Sequence, residues 1–332
     1  MRPAPRTLRL LAVGLVAALA APLAHGQSRA ETAYDLVRLD LSARTAALAG
    51  AGALPDDDPA AALANPALLV PDMDRAVSVG YANLVGDVNA GSAAYARTVP
   101  RWGLTVGAAV RHLSYGEFER RLGADTGADA VGTFGAGETA LTLVASRALV
   151  PRVRVGVAAH ALAASLDGDV SAALTGDLGL SYHAPAEGWV LGASVHHVGA
   201  RLASLGTDAD RLPLDVRLTV SKRLRYVPLT VSASGVDLHR FEGPNTGTDS
   251  SAFVRALDHV ALGGELALGS VVSVRAGYNG RRGGDLRSGG RLDLAGLSVG
   301  AGVRLRRVSV DYAFSNWGAF GGLHQFGLRT RL

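Results

Sequence analysis

The constraint that narrows the fold most is a period of two that runs from Arg75 almost to the end of the 332-residue chain. Leu104, Val106, Ala108 and Val110 alternate with Thr105, Gly107, Ala109 and Arg111. Leu214, Val216, Leu218 and Val220 alternate with Asp215, Arg217, Thr219 and Ser221. Val272, Val274, Ala276 and Tyr278 alternate with Ser273, Arg275, Gly277 and Asn279. Successive side chains of a strand point to opposite faces, so each segment carries one apolar face and one polar or small face. The pattern predicts about fourteen strands of about ten residues, long enough to cross a bilayer when tilted. They fall near 75–83, 89–98, 102–113, 138–147, 152–165, 170–183, 189–198, 212–223, 227–239, 259–268, 271–279, 294–305, 308–315 and 322–332.

Connection lengths separate a membrane barrel from a soluble sandwich. Val99–Arg101, Ala148–Pro151, Ala184–Gly188, Leu224–Tyr226, Gly269–Ser270 and Arg306–Arg307 are short. Between them fall Ser114–Gly137, Gly199–Arg211, Arg240–Asp258, Gly280–Asp293 and Asn316–Gly321, which are longer. Sorting by parity is the habit of outer-membrane barrels, with short periplasmic turns and long outer loops, and an even strand count returns both barrel ends to the periplasm. Trp102, Trp189 and Tyr226 fall at the expected periplasmic ends, and Tyr115, Tyr278, Phe314 and Trp317 at the outer ends, as interface girdles do. The last segment, from Phe326 to Leu332, reads as a strand that closes against the first. Composition agrees: 48% of residues are hydrophobic and 42 are glycine, yet beyond the amino terminus no apolar run reaches the length of a spanning helix.

The amino terminus has its own signature. Arg2, Arg6 and Arg9 precede an apolar run from Leu10 to Ala24, and Ala24-His25-Gly26 places small residues where a signal peptidase reads, predicting a signal peptide over 1–26 and export. Without those residues the charge balance is 30 basic against 29 acidic side chains, where the full chain has 33 and 29, so no electrostatic case for nucleic acid remains. The chain has no cysteine, so a disulfide framework and a lipid-bearing cysteine are both excluded.

Residues 27–74 are not strand-like. Asp56-Asp57-Asp58-Pro59 offers a capping carboxylate followed by proline, which starts a short helix, and Asn65-Pro66 stops it about two turns later. A segment this small does not fold alone, and its economical place is inside the barrel as a plug. The expected architecture is therefore all-β: a transmembrane antiparallel β-barrel over 75–332, with a short N-terminal plug or hatch segment over 27–74. The lumen face is expected to carry Arg111, Arg154, Asp177, Arg217, Glu265, Arg275, Arg304 and Asp311.

The glycines, the acidic turn and Asn65-Pro66-Ala67 resemble the N-terminal hatch of the FadL-like long-chain fatty acid transporter superfamily, which implies a fourteen-stranded barrel with an N-terminal plug. A narrower resemblance is to the PorQ family of the type IX secretion system, sister to the PorV family. It rests on Leu41-Ser-Ala-Arg-Thr-Ala-Ala-Leu48, Asp56-Asp-Asp-Pro59, Asn65-Pro-Ala-Leu-Leu69, Tyr81-Ala-Asn-Leu-Val-Gly-Asp87, Gly132-Thr-Phe134 and Asp311-Tyr-Ala-Phe-Ser315, followed by Gly318 and His324-Gln-Phe326. That resemblance implies a non-enzymatic outer-membrane role: docking a PorZ-like surface partner in the cargo attachment complex, with PorU- and PorV-like proteins, among outer-membrane lipid and lipopolysaccharide. The alternative is a FadL-like channel for hydrophobic small molecules. Loops Ser114–Gly137 and Arg240–Asp258 are the expected docking elements.

An enzyme is the least favoured class, and no cofactor or metal is expected. Gly296-Leu-Ser298-Val-Gly300 matches a hydrolase elbow, but the alternation continues through it, so Ser298 is expected in a strand facing the lumen. The aspartates lack the alternate spacing of a calcium loop. His196 and His197, as strand neighbours, are expected on opposite faces and so unable to share a metal. His160 and His183 are expected to face the lumen, with no carboxylate–histidine–serine set visible. The Arg281–Arg291 stretch is interleaved with glycine and acids and reads as a solvated loop.

Overall fold

A computed structural model describes residues 34–52, 57–121, 130–204, 212–239, 252–286, 294–318 and 321–332. The signal-peptide segment, Asp56 and most of the Arg240–Asp258 loop lie outside the described residues. Fourteen strands form one closed antiparallel barrel. They are β1 (Ala76–Asn83), β2 (Asn89–Val99), β3 (Leu104–Arg121), β4 (Ala130–Val150), β5 (Val153–Leu166), β6 (Asp169–Ala184) and β7 (Trp189–Ala203). The circuit continues through β8 (Asp215–Arg223), β9 (Leu229–Gly235), β10 (Val260–Leu268), β11 (Val272–Asn279), β12 (Leu297–Leu305), β13 (Val308–Asn316) and β14 (Gly322–Arg331). Each strand pairs with the next, and β14 closes on β1 from Ala76↔Arg331 to Asn83↔His324.

The barrel is inside-out relative to a water-soluble fold. Val79, Leu141, Leu143, Val157, Leu174, Leu191, Leu262, Val299 and Val310 stand exposed on its outer surface. Their alternates Ser78, Thr142, Ser146, His160, Ser181, Ser298 and Ser309 are buried within. Such an apolar belt is a penalty in water but no cost in hydrocarbon, where closure also satisfies every ladder N–H and C=O.

The connections follow the parity argument in the main; the clearest exception is at the long-loop end, where β5 and β6 are joined by Asp167 and Gly168, both at positive φ, and β1–β2 there is no longer than β8–β9 at the other end. The largest departure lies in 114–137. Instead of a loop, the β3–β4 ladder continues through Glu117↔Gly135, Phe118↔Phe134 and Arg121↔Ala130. The alternation fades there because strands that rise past the apolar belt have no lipid-facing side. Two girdle residues also turn inward: the Tyr115 hydroxyl donates to Glu138 at 2.7 Å, and Trp317 packs on the inner apolar cluster. Trp102, Trp189 and Tyr226 remain exposed at the short-turn end.

Residues 34–52 and 57–75 form the described part of the plug. It consists of the helix Ala43–Ala47 and the 3-10 turns Asp35–Arg38, Pro59–Leu63, Pro66–Leu68 and Pro71–Met73. Asp58 caps the turn after it, accepting from the Ala60 N–H at 2.9 Å, but that turn is 3-10 rather than α. Asn65-Pro66 does more than end it. Asn65 caps a new turn in which Pro66 is the first residue. Each proline fits the first position of its own turn and stops the turn before it from running on, so the segment is a run of separate short turns. These bury Leu36, Val37 and Leu41 against Ala82, Ala90, Leu113, Ala140, Leu162 and Leu323 of the wall, and Leu69 and Met73 against Ala76, Ala96, Val144 and Ala158.

Wall glycines shape the seat. A Cβ at Gly179 would lie 2.2 Å from Asn65 Oδ1, and one at Gly156 only 2.3 Å from the Pro66 carbonyl carbon, so neither position admits a side chain while the plug is seated. Asn65 then donates to the carbonyls of Leu180 (3.2 Å) and Ala193 (3.3 Å), and Ser181 donates to Ala67 O at 3.2 Å.

Candidate functional site in the plugged lumen

The lumen holds three polar assemblies. The first is a chain of alternating charges that crosses between plug and wall. Arg44 of the plug pairs with Glu265 of β10 at 2.9 Å, and Arg275 of β11 pairs with Glu265 and with Asp311 of β13, each at 2.6 Å. Arg329 of β14 reaches Asp311 at 2.9 Å and Asp57 of the plug at 2.5 Å, and Arg304 sits 3.5 Å from Asp57 near the short-turn mouth. Glu265, Arg275, Arg304 and Asp311 are thus brought into one network with two plug residues. Alternation keeps each buried charge next to its opposite, the condition under which a lumen tolerates them.

The second assembly lies toward the long-loop end. Arg217 bonds Asp215, whose other oxygen accepts the Asp237 N–H at 2.7 Å, and Arg281 bonds Asp237. Arg111 donates to the Val37 carbonyl at 3.4 Å. Arg154, deeper along β5, donates to Leu69 O at 2.9 Å. Each of these arginines therefore touches the plug or a neighbouring acid, and none enters the Arg44–Asp311 network.

The third assembly overturns two sequence readings. β7 carries a bulge at which His196 and His197 both oppose Asp177 of β6, because His197 adopts φ +59° and throws the register by one residue. Both imidazoles consequently point inward and are buried, rather than lying on opposite faces. Asp177 Oδ2 lies 2.8 Å from His196 Nδ1, and His196 Nε2 lies 2.8 Å from Ser194 Oγ, so a carboxylate–histidine–serine set does exist. It has the connectivity of an acyl-transfer triad, but Ser194 is buried and lines none of the cavities described below. His183 stands apart, bonding Ser181 at 2.8 Å. Ser298 lies within β12 and bonds Ser315 at 2.8 Å, with no turn beneath it.

Among the described residues, cavities lie at both ends of the plug, one of them, of about 600 Å³, beside Asp57, Arg304 and Arg331. At the short-turn end a cavity of about 650 Å³ is walled by Arg44, Arg223, Arg225, Tyr226, Glu265, Arg275, Arg304 and Arg329. A gap of about 30 Å³ continues from it between the plug and β9–β10, past Arg44, Leu48, Ala61 and Glu265. At the long-loop end a cavity of about 390 Å³ sets Leu39, Leu84, Val88, Leu113 and Trp317 against Arg38, Asp40, Asp237, Arg282 and Asp285. Burial pushes the Arg282 guanidinium below its ordinary pKa, with Asp40 opposing, and its charge lies 5.7 Å from the Trp317 ring centre.

No family model matches this sequence, and no curated protein matches it. Solved structures do match in fold. The Ralstonia pickettii toluene transporter TbuX superposes with a TM-score of 0.54 at 14% identity, over 88% of this chain and 98% of that one. The P. putida toluene transporter TodX superposes with a TM-score of 0.56 at 12% identity, over 88% and 99%. At such identities the likeness concerns the fold alone, a closed barrel.

Proposed function

We propose that this chain is an outer-membrane channel that admits amphipathic, largely apolar small molecules through a plugged lumen, in the manner of FadL-like transporters. In this reading residues 1–26 direct export, the short-turn end faces the periplasm and the long-loop end faces outward. The observation that carries it is the outer cavity, where an apolar side built from Leu39, Leu84, Leu113 and Trp317 meets a charged side holding the half-buried Arg282. The apolar side suits a hydrocarbon body, and the cationic group suits a polar or anionic head. The protein partners of fold named above are toluene transporters, and the charged side of this cavity favours a ligand with a headgroup over a bare hydrocarbon. No step in the reading is enzymatic. The test is equilibrium binding of a fluorescent long-chain fatty acid to the detergent-purified barrel, with toluene as competitor. Saturable binding, weakened in Leu113→Arg and poorly displaced by toluene, supports the proposal. The absence of saturable binding in the parent protein overturns it.

A second reading is favoured by the β3–β4 hairpin, whose pairing continues well past the apolar belt and ends in Glu117, Glu119, Arg120 and Arg121 around the stacked Phe118 and Phe134 rings, 5.4 Å apart. A projecting charged ridge with an aromatic pair is suited to docking a protein, as the PorQ resemblance implies. Affinity purification from native outer membranes distinguishes the two. Co-purification of PorZ-, PorU- or PorV-like proteins, lost when residues 115–136 are removed, supports docking. Isolation of the barrel with lipid alone rejects it.

A further inference from the structure

The β7 bulge brings together three buried groups from adjacent strands, and the geometry points to a binding site for a divalent transition-metal ion of the zinc type, held by His160, Asp177 and His197. The candidate donor atoms of these residues lie within 4.8 Å of one another, on β5, β6 and β7 respectively. Tetrahedral ligands at about 2.0–2.2 Å from an ion stand roughly 3.4 Å apart, so small side-chain rotations close the set.

Each donor is already oriented. Thr142 Oγ1 lies 2.8 Å from His160 Nδ1, which leaves His160 Nε2 as the outward nitrogen. That Nε2 is buried and stands in close ion-pair contact with Asp177 Oδ2 at 2.9 Å. The two atoms are nearer than two ligands of one ion, so an ion entering here must spread them by about 0.5 Å. His197 Nδ1 lies 3.1 Å from the Pro213 carbonyl, fixing a proton there and freeing Nε2. Asp177 Oδ2 also lies 2.8 Å from His196 Nδ1, while Asp177 Oδ1 accepts from the His197 N–H at 2.8 Å. Metal-binding imidazoles and carboxylates are oriented by just such partners.

The strained backbone is the second observation. A histidine at φ +59° inside a strand is uncommon, and its consequence here is to carry a second imidazole to the inner face opposite Asp177. Two imidazoles and one carboxylate favour Zn²⁺, Co²⁺ or Ni²⁺ over Mg²⁺ and Ca²⁺, which prefer all-oxygen shells. Arg111, also buried in the lumen, opposes a cation, and the Asp177 carboxylate offsets it. An ion at this place would tie β5, β6 and β7 together where the bulge interrupts their ladder.

The test uses the mature barrel without a histidine tag, stripped with chelator and given Zn²⁺ or Co²⁺ both after folding and during refolding. The expected result is one equivalent bound per chain, with a visible cobalt absorption band, and no competition from Mg²⁺. His197→Gly removes a ligand while relieving the positive φ, so the barrel keeps its heat-modifiable migration and loses the ion. Thr142→Val, which removes only the orienting hydroxyl, weakens binding about 10–100-fold. His324→Ala, on the outer surface, leaves it unchanged. No stoichiometric binding by the parent protein, or full binding by His197→Gly, overturns the proposal.

Discussion

Gly156 lies in a strand with ordinary φ, so replacing it by alanine would by local preference alone stabilise the sheet by about 0.5–1 kcal/mol. The plug reverses the sign. The added Cβ would stand 2.3 Å from the Pro66 carbonyl carbon, 2.4 Å from its oxygen and 2.4 Å from the Ala67 nitrogen, all backbone atoms. Restoring ordinary contact at about 3.4 Å requires the Asn65-Pro66 turn to lift by about 1 Å. That displacement stretches the two hydrogen bonds from Asn65, at 3.2 and 3.3 Å, and the one from Ser181, at 3.2 Å. At about 0.5 kcal/mol for each of the three stretched hydrogen bonds and about 1–3 kcal/mol for overpacking, the seated plug loses about 3 kcal/mol; the strand preference is common to the seated and released states and cancels. Its release equilibrium then rises by about 100-fold. The chain has no cysteine, so Ala62→Cys, at a plug position 2% exposed, is a clean reporter. Maleimide labelling of that cysteine should accelerate about 100-fold in the Gly156→Ala background while the barrel itself stays folded. Gly91→Ala, whose Cβ meets nothing nearer than 3.9 Å, is the matched control and should leave labelling unchanged. Parental labelling rates in Gly156→Ala would refute the seating described above.

Other substitutions probe the wall and the lumen separately. Arg275→Met leaves Glu265 and Asp311 with one partner each and should cost about 3 kcal/mol in urea unfolding from lipid vesicles. Ala301→Arg places a charge on the outward face at the middle of β12 and should cost about 2–4 kcal/mol in the same assay; no cost would mean that this face does not meet lipid. His197→Val should be about 2 kcal/mol less stable than His197→Gly in chelator, because a β-branched side chain tolerates positive φ worst.

The strand circuit was legible because lipid on one side and plug on the other force a strict alternation, as at Val299 and Ser298 or Leu141 and Thr142. Where one of those surroundings ends, so does the signal. Glu117 to Arg121 pair with β4 beyond the apolar belt, and their charges read as loop. The histidine cluster was missed because two neighbours in a regular strand must diverge. A cue was present nonetheless. Exposed Leu191 and exposed Val198 and Leu202 occupy positions of opposite parity, which requires an extra residue between them. The Asp58 and Asn65 caps follow from local chemistry. The pairing of Arg44 with Glu265, separated by most of the chain, depends on closure and has no local trace.

The plug precedes β1 in the chain, yet it rests on both halves of the circuit: Pro66 in the niche at Gly156 and Gly179, Leu48 against Gly277, and Ala47 against Gly300. The seam between β1 and β14 joins the first strand to the last, so it is complete only once every other strand exists. A segment seated on strands so far apart around the circuit acts as a spoke: it ties early wall to late wall across the bore, so the wall's curvature and the plug's seat are one fit, and loosening either loosens the other.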